Sequence, residues 1–295
     1  MSAVPAPGAA PRVLSIAGTD PTGGAGIQAD LKSIAANGGY GMAVVTALVA
    51  QNTRGVRSVH LPPVAFLTEQ LDAVSDDVEI DAVKIGMLGT SEVIAAVTAW
   101  LDRVRPPVVV LDPVMVATSG DRLLDAEAER ALRELTARAS LVTPNLPELA
   151  ILVGEPRAET WAEALAQGER LARSRGVRVL VKGGHLPGRD CPDALVEVAP
   201  PGGAARIAQF PGSRIDTVHT HGTGCSLSAA LATLRVSRGD WTVAVAEAKA
   251  WLTESIRHAD ALRVGQGNGP ISHFAGLWQR AGLGPAGPET TNAPA

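Results

Sequence analysis

Short apolar runs alternate along this chain with longer amphipathic stretches. The apolar runs at 12–17, 42–49, 82–85, 108–111, 141–143, 177–181 and 194–198 predict strands. The first and the third to sixth hold few polar positions, as parallel strands covered on both faces do. The stretches between them predict helices at 25–37, 64–74, 91–104, 125–138, 148–153, 160–174, 224–234 and 241–261. Asp125 is a candidate N-cap, because its carboxylate can accept hydrogen bonds from the amides that the first turn leaves unpaired. This alternation specifies an α/β protein: an open, mostly parallel sheet with helices on both faces. Ligands of such sheets bind at the carboxyl ends of the strands. Gly18, Gly86, Asp112, Asn145 and Lys182 all fall there.

With 295 residues, 46% of them hydrophobic, the chain can build one large α/β domain or two small ones. No linker and no repeat interrupts residues 12–282, so one domain is expected there. The Ala/Pro-rich residues 1–11 have neither the basic start nor the apolar core of a signal peptide and read as a disordered N-terminus. Residues 283–295 read as a disordered tail. No apolar run approaches the ~18 residues of a membrane-spanning helix. A net charge of -4 gives no basic field for nucleic acid or membranes, and 3% aromatics argue against base stacking. The two cysteines, Cys191 and Cys225, form neither a CxxC pair nor a zinc spacing, which suits a reducing cytoplasm.

Two glycine-rich segments carry candidate chemistry. Gly18-Thr19-Asp20-Pro21-Thr22-Gly23-Gly24-Ala25-Gly26 leads from a strand into a helix, where backbone amides can cradle an anion or approach a flat ligand. A glycine-permitted tight turn explains it equally well. Residues 24–29 match the G-x-G-x-x-A dinucleotide fingerprint, but the acidic residue expected about 20 positions on is missing, and no G-K-[ST] follows for a phosphate-binding P-loop. The second segment, Thr220-His221-Gly222-Thr223-Gly224-Cys225, opens a helix of small residues. Its glycines leave several amides free at the positive end of the helix dipole, which suits a transferring phosphoryl group better than a simple cap.

Together with Thr46–Thr53, Lys84–Leu88, Asp112–Gly120, Thr143–Glu148, Lys182–His185 and Gly267–Pro270, these segments closely resemble those of hydroxymethylpyrimidine/phosphomethylpyrimidine kinases, over about residues 12–278. The resemblance implies a ribokinase-like, three-layer α/β/α fold with about eight strands, ATP and Mg²⁺ as cofactors, a homodimer, and two successive phosphorylations in thiamine biosynthesis. By position it implies that Gln51 hydrogen-bonds the aminopyrimidine, since an amide offers both donor and acceptor. Gly18, Ala25, Asp30, Val49, Met87 and Val114 are implied as the remaining pocket wall. Asp112, Asn145, Lys182 and Thr217 are implied on the nucleotide, and Asp112, Asn145 and Glu148 on the metal, partly through water. Gly222, Thr223, Gly224, Cys225 and Lys182 are implied as the catalytic group. Cys225, at a helix N-terminus that lowers a thiol's pKa, is expected to act as base for the alcohol acceptor. His219 and His221 are expected in loop packing or at the nucleotide edge, and Met42 and Met115 in the core. Thr118 falls where some members carry lysine, and Cys225 where many sugar kinases carry aspartate. Three alternatives remain: a pyridoxal kinase, an NAD-dependent oxidoreductase, and a non-catalytic pyrimidine-binding protein.

Overall fold

The computed structural model describes residues 9–115, 124–198 and 205–283. Thr118, the rest of the 116–120 segment and nearly all of the two terminal segments lie outside the described residues. The strands are β1 (Arg12–Ala17), β2 (Tyr40–Val45), β3 (Leu48–Asn52), β4 (Gly55–His60), β5 (Ala82–Ile85), β6 (Val109–Leu111), β7 (Leu141–Val142), β8 (Arg178–Lys182), β9 (Asp193–Glu197) and β10 (Arg206–Phe210). The helices are α1 (Gly26–Ala36), α2 (Val64–Ser75), α3 (Ser91–Val104), α4 (Ala126–Leu135), α5 (Leu146–Val153), α6 (Trp161–Arg175), α7 (Thr223–Arg238), α8 (Trp241–Arg257) and α9 (Ala275–Arg280).

An eight-stranded sheet in the order β10-β9-β8-β7-β6-β5-β1-β2 forms the middle layer. It is parallel from β2 to β8, and β9 and β10 close one end antiparallel. Successive residues of β1 face opposite sides, as the two-residue strand period requires. Leu14 and Ile16 pack with Leu71, Ile94, Val97, Leu132 and Leu149 on one face. Val13 packs with Ile34, Leu231, Ala232 and Val245 on the other. Both layers are buried, and each large side chain buried this way contributes about 1.5–3 kcal/mol relative to exposure. Helix α7 is sunk in the second layer because its small residues, such as Ala229, Ala230 and Ala232, let backbones approach.

One predicted strand, 42–49, is two elements. β2 ends at Val45; Thr46 then ties the chain down, its amide donating to the Ala17 carbonyl (3.0 Å) and its hydroxyl to the Met87 carbonyl (2.6 Å). β3 starts afresh and pairs antiparallel with β4 as a separate two-stranded sheet. The apolar run is continuous through this break, which hides it. All six residues of β4 are exposed, so no alternation marks that strand.

Helix α3 ends on Arg105, a non-glycine residue in the left-handed region (φ 51, ψ 59). An L-residue costs about 1–2 kcal/mol there, partly offset by the smaller unfolded-chain entropy it has than glycine. Arg105→Gly is expected to raise stability by about 0.5–1 kcal/mol in urea unfolding. A loss would mean that the Arg105 side chain, whose Nε donates to the Asp102 carbonyl at 3.2 Å, outweighs the strain.

Candidate active site

The two glycine-rich segments meet at the carboxyl ends of β1 and β5. Ile27 donates its amide to the Gly18 carbonyl at 2.9 Å, which folds the first segment onto its own strand. Gly222, the residue before α7, adopts φ +79, and a Cβ there would lie 1.7 Å from the Gly24 carbonyl oxygen. Only glycine permits that contact, so the N-terminus of α7 is seated directly on the N-terminus of α1. Asp20 anchors the junction. Its Oδ1 accepts from the Thr22 amide (2.9 Å) and hydroxyl (2.7 Å), and its Oδ2 from the amides of Gly24 (3.0 Å) and Ala25 (2.8 Å) and from His221 Nε2 (2.8 Å). Burial opposes its charge, yet His221, Thr22 and the amides outweigh burial and hold the carboxyl well below the usual carboxylate range.

Beside this junction stand the charged groups at the ends of β6, β7 and β8. Lys182 Nζ lies 3.3 Å from Asp112 Oδ1, which also accepts from the Thr143 hydroxyl at 3.0 Å. A Cβ on Gly224, in the first turn of α7, would lie 3.4 Å from Asp112 Oδ2 and 3.6 Å from Lys182 Nζ. The sequence-predicted set of Gly222, Gly224, Asp112 and Lys182 is therefore brought together. Burial acts to neutralise Lys182, but Asp112 and Glu148 reverse this and keep its ammonium charged. Glu148 is buried; its carboxyl is pushed up to about 7 by that burial, with Lys182 opposing and Asp112 adding to the rise. Asn145 and Glu148 form a reciprocal capping box: the Glu148 amide donates to Asn145 Oδ1 (3.0 Å), and the Asn145 amide to Glu148 Oε2 (2.9 Å). The Asn145 oxygen thus caps α5 and fixes Glu148, with its second lone pair and its amide NH2 left over.

Among the described residues no three His, Cys, Asp or Glu side chains gather as a metal cage. Magnesium rarely needs one, since it keeps several waters and takes one or two carboxylates plus substrate phosphates. Asp112 and Glu148 are oxygen donors of that class, flanking the same lysine, and so fit such an ion.

Two expectations are corrected. Asp30 lines no pocket: it is fully buried in an ion pair with Lys84, whose Nζ lies 2.8 Å from both of its oxygens, and it accepts from the Ser15 hydroxyl at 2.6 Å. Burial acts to neutralise Lys84, but Asp30 first and Asp112 after it favour the ammonium and keep it charged. Cys225 does not carry the lowered pKa expected at a helix N-terminus. Burial pushes its thiol up to about 11; Lys84 opposes this, while Asp30 and Asp112 add to it. Burial outweighs the opposing Lys84 and the Gly26 amide, which favours the neutral thiol at pH 7.

The expected pocket wall is assembled in part. Gly18 faces Met87, whose Cε would touch a Cβ there at 2.7 Å. Val49 donates its amide to Thr19 Oγ1 at 3.0 Å, joining β3 to the first segment. Ala25 caps α1, and Val114 turns the chain just past Asp112. Gln51 is half-buried at a bulge of β3 between Ala50 and Gln51. An open groove of about 600 Å³ runs between Thr19, Pro21 and the β3–β4 hairpin, and Gln51 is not in its lining. Thr217 is half-buried, its hydroxyl donating to Asp260 Oδ1 at 2.6 Å. His219 packs its Nδ1 against the Gly269 amide at 3.0 Å, as a loop residue. Met115 is buried in the core, and Met42 packs against it.

Sequence reasoning missed Asp20, His221 as its partner, Thr143 and Lys84. Two signals were available. Asp20-Pro21-Thr22 is a side-chain-to-amide turn by composition, and a lysine inside the apolar strand Ala82–Ile85 calls for a buried counter-ion.

The sheet order, with α1, α7 and α8 on one face and the site at the carboxyl ends of the central strands, places the chain among the ribokinase-like α/β kinases. It superposes on the ADP complex of Bacillus subtilis pyridoxal kinase with a TM-score of 0.79 at 31% identity, covering 91% of this chain and 99% of that one. On phosphomethylpyrimidine kinase from Clostridium difficile the TM-score is 0.72 at 36% identity, covering 83% and 99%. Hydroxymethylpyrimidine/phosphomethylpyrimidine kinase of Escherichia coli is 51% identical over 266 residues, 90% of this chain and 98% of that protein. A thiamine biosynthesis multifunctional protein of Corynebacterium glutamicum is 56% identical over 265 residues, where this chain spans about a third (34%) of the relative's length. The family model described as phosphomethylpyrimidine kinase matches residues 20–272. The chain belongs to the phosphomethylpyrimidine kinase family.

Proposed function

We propose that this chain transfers the γ-phosphoryl group of ATP to 4-amino-5-hydroxymethyl-2-methylpyrimidine, and then a second phosphoryl group to the resulting monophosphate, in thiamine biosynthesis. The observation that carries the reading is the seating of the α7 N-terminus on the first glycine-rich turn, with Lys182 and Asp112 beside Gly224. Phosphoryl transfer is chiefly a matter of positioning and charge neutralisation. The free amides at the start of α7 can bind the equatorial oxygens, and Lys182 can offset their charge as it shifts towards the leaving group. A magnesium ion bound at Asp112 and Glu148 would supply the remaining charge neutralisation. The acceptor ring would lie between Gly18, Val49, Met87 and Gln51, with Thr217 at the nucleotide's edge. A homodimer is part of this reading. Support comes from the 51% identity to the Escherichia coli kinase over nearly its full length.

Gln51→Ala tests the acceptor site. A buried amide hydrogen bond is worth about 1–3 kcal/mol when one partner is removed, so the KM for the pyrimidine should rise about 5- to 100-fold while the KM for ATP holds. An unchanged pyrimidine KM removes Gln51 from the site. The similarity to pyridoxal kinase from Bacillus subtilis favours a second reading, in which a pyridine alcohol is also accepted. Steady-state kinetics with both alcohols side by side separate the two.

The neutral state of Cys225 changes the expectation for the two steps. A base matters for an alcohol acceptor and little for a phosphate that is already charged. A thiol with a pKa of about 11 is a poor base at neutral pH and serves as part of the cradle. Cys225→Ala should therefore slow both steps by similar factors, measured as kcat/KM for each acceptor. A loss confined to the alcohol would restore Cys225 as the base.

A further inference from the structure

We propose that Asp20 and His221 are a positioning pair, which clamps the phosphoryl cradle of α7 onto the acceptor-side turn of α1 and so sets the distance between the two reacting groups. The proposal rests on the kinase reading above and adds a role for two residues to which that reading gives none. Asp20 is fully buried, and its two oxygens accept all five of the hydrogen bonds described above. Four come from its own turn and shape it. The fifth comes from His221, 201 positions away, at 2.8 Å. An ionised carboxylate only accepts, so His221 Nε2 carries the proton in this bond.

His221 immediately precedes Gly222, whose Cα sits against the Gly24 carbonyl. Its own amide donates to the Gly269 carbonyl at 3.1 Å, so the residue is fixed at the backbone and at the ring tip. The imidazole also fills the space above Gly24, where a Cβ would meet its Cδ2 at 2.7 Å and Pro270 at 3.0 Å. The contact between the two turns is largely glycine against backbone, flanked by the imidazole on Gly24 and by the Gly26 amide against the Cys225 thiol. The Asp20–His221 bond adds a charge-assisted, directional link across that junction. A misplacement of about 1 Å between reacting groups costs on the order of 10²-fold in rate, which is the scale on which such a clamp acts.

The test uses His221→Ala, His221→Gln and His221→Asn in the full chain. Glutamine can bring a donor to the Nε2 position; asparagine is one methylene too short. His221→Ala and His221→Asn should lower kcat about 10- to 100-fold with both KM values within about threefold of wild type, and His221→Gln should recover most of the loss. Equal rates for glutamine and asparagine, or a KM effect with unchanged kcat, would overturn the clamp. The same comparison stands if the alanine variant fails to fold. A second readout is independent of substrate identity: amide hydrogen exchange in ligand-free protein. In His221→Asn, exchange at Gly24 and Ala25 should quicken about tenfold or more together with the start of α7. Unchanged exchange at Gly24 and Ala25 overturns the proposal. Wild-type protein that leaves the pyrimidine unphosphorylated defeats the proposed function instead, and the exchange data still decide the clamp.

Discussion

Lys84→Met should destabilise the protein by about 3–5 kcal/mol at pH 7, because removing one partner of a fully buried ion pair leaves the other uncompensated. That is a large part of the ~5–15 kcal/mol that holds a typical chain folded. The loss should depend on pH, with a definite sign. Burial raises the folded-state pKa of Asp30 above its unfolded value even with Lys84 opposing it, and more so once Lys84 is gone. The unfolded chain then releases the Asp30 proton first, so the penalty appears as pH rises above the ordinary carboxylate range and shrinks as pH falls. Adding Asp30→Asn removes the orphaned charge and leaves an acceptor for the Ser15 hydroxyl, and should recover at least half of the loss. Urea unfolding of both variants at pH 5 and pH 8 gives the numbers. A Lys84→Met protein within about 1 kcal/mol of wild type at pH 8 would contradict the assignment of a charged pair.

Lys182→Met should lower kcat about 10²–10³-fold, the usual consequence of losing one preorganised group that meets charge developing in the transition state. The KM for the pyrimidine should hold, because the proposed function seats the acceptor against Gly18, Val49 and Met87, on the β1, β3 and β5 side of the site. The fold should be destabilised less than in Lys84→Met, since Lys182 is part-exposed, Asp112 keeps its bond from Thr143 and Glu148 keeps the Asn145 amide. A kcat within threefold of wild type would place the developing charge elsewhere. The same carboxylates account for why the lysine stays charged though largely buried: Asp112 and Glu148 both favour its ammonium form.

Much of this was legible in the sequence, for identifiable reasons. The strands at 12–17 and 82–85 appear at the predicted residues because a strand buried on both faces leaves an uninterrupted apolar run. Helix α4 starts where Asp125 predicts, with its carboxylate accepting from the Ala128 amide at 2.8 Å. The β3–β4 hairpin was not legible, because β4 is solvated and the break at Thr46 is made by contacts to Ala17 and Met87, distant in sequence. The edge strand β10 escaped for a similar reason, being only part-buried. At the site, Gly222 and Gly224 were legible as glycines opening a helix, and Asp112 and Lys182 as charges at strand ends; the fold brings the four together. The state of Cys225 was not, because a helix N-terminus can be read from sequence whereas burial beside Asp30 and Asp112 cannot. Asp30 was assigned to the pocket from its place in the motif; its partner lies on another strand.

In the proposed function, the junction of α1, α7 and Lys182 transfers phosphoryl groups to a hydroxymethylpyrimidine. Incubation of the full chain with 4-amino-5-hydroxymethyl-2-methylpyrimidine, ATP and Mg²⁺, followed by mass spectrometry over time, tests it most directly. The account predicts that the monophosphate appears first and is then converted to the diphosphate. Unmodified pyrimidine at all times, under conditions in which the same preparation phosphorylates pyridoxal, would contradict it.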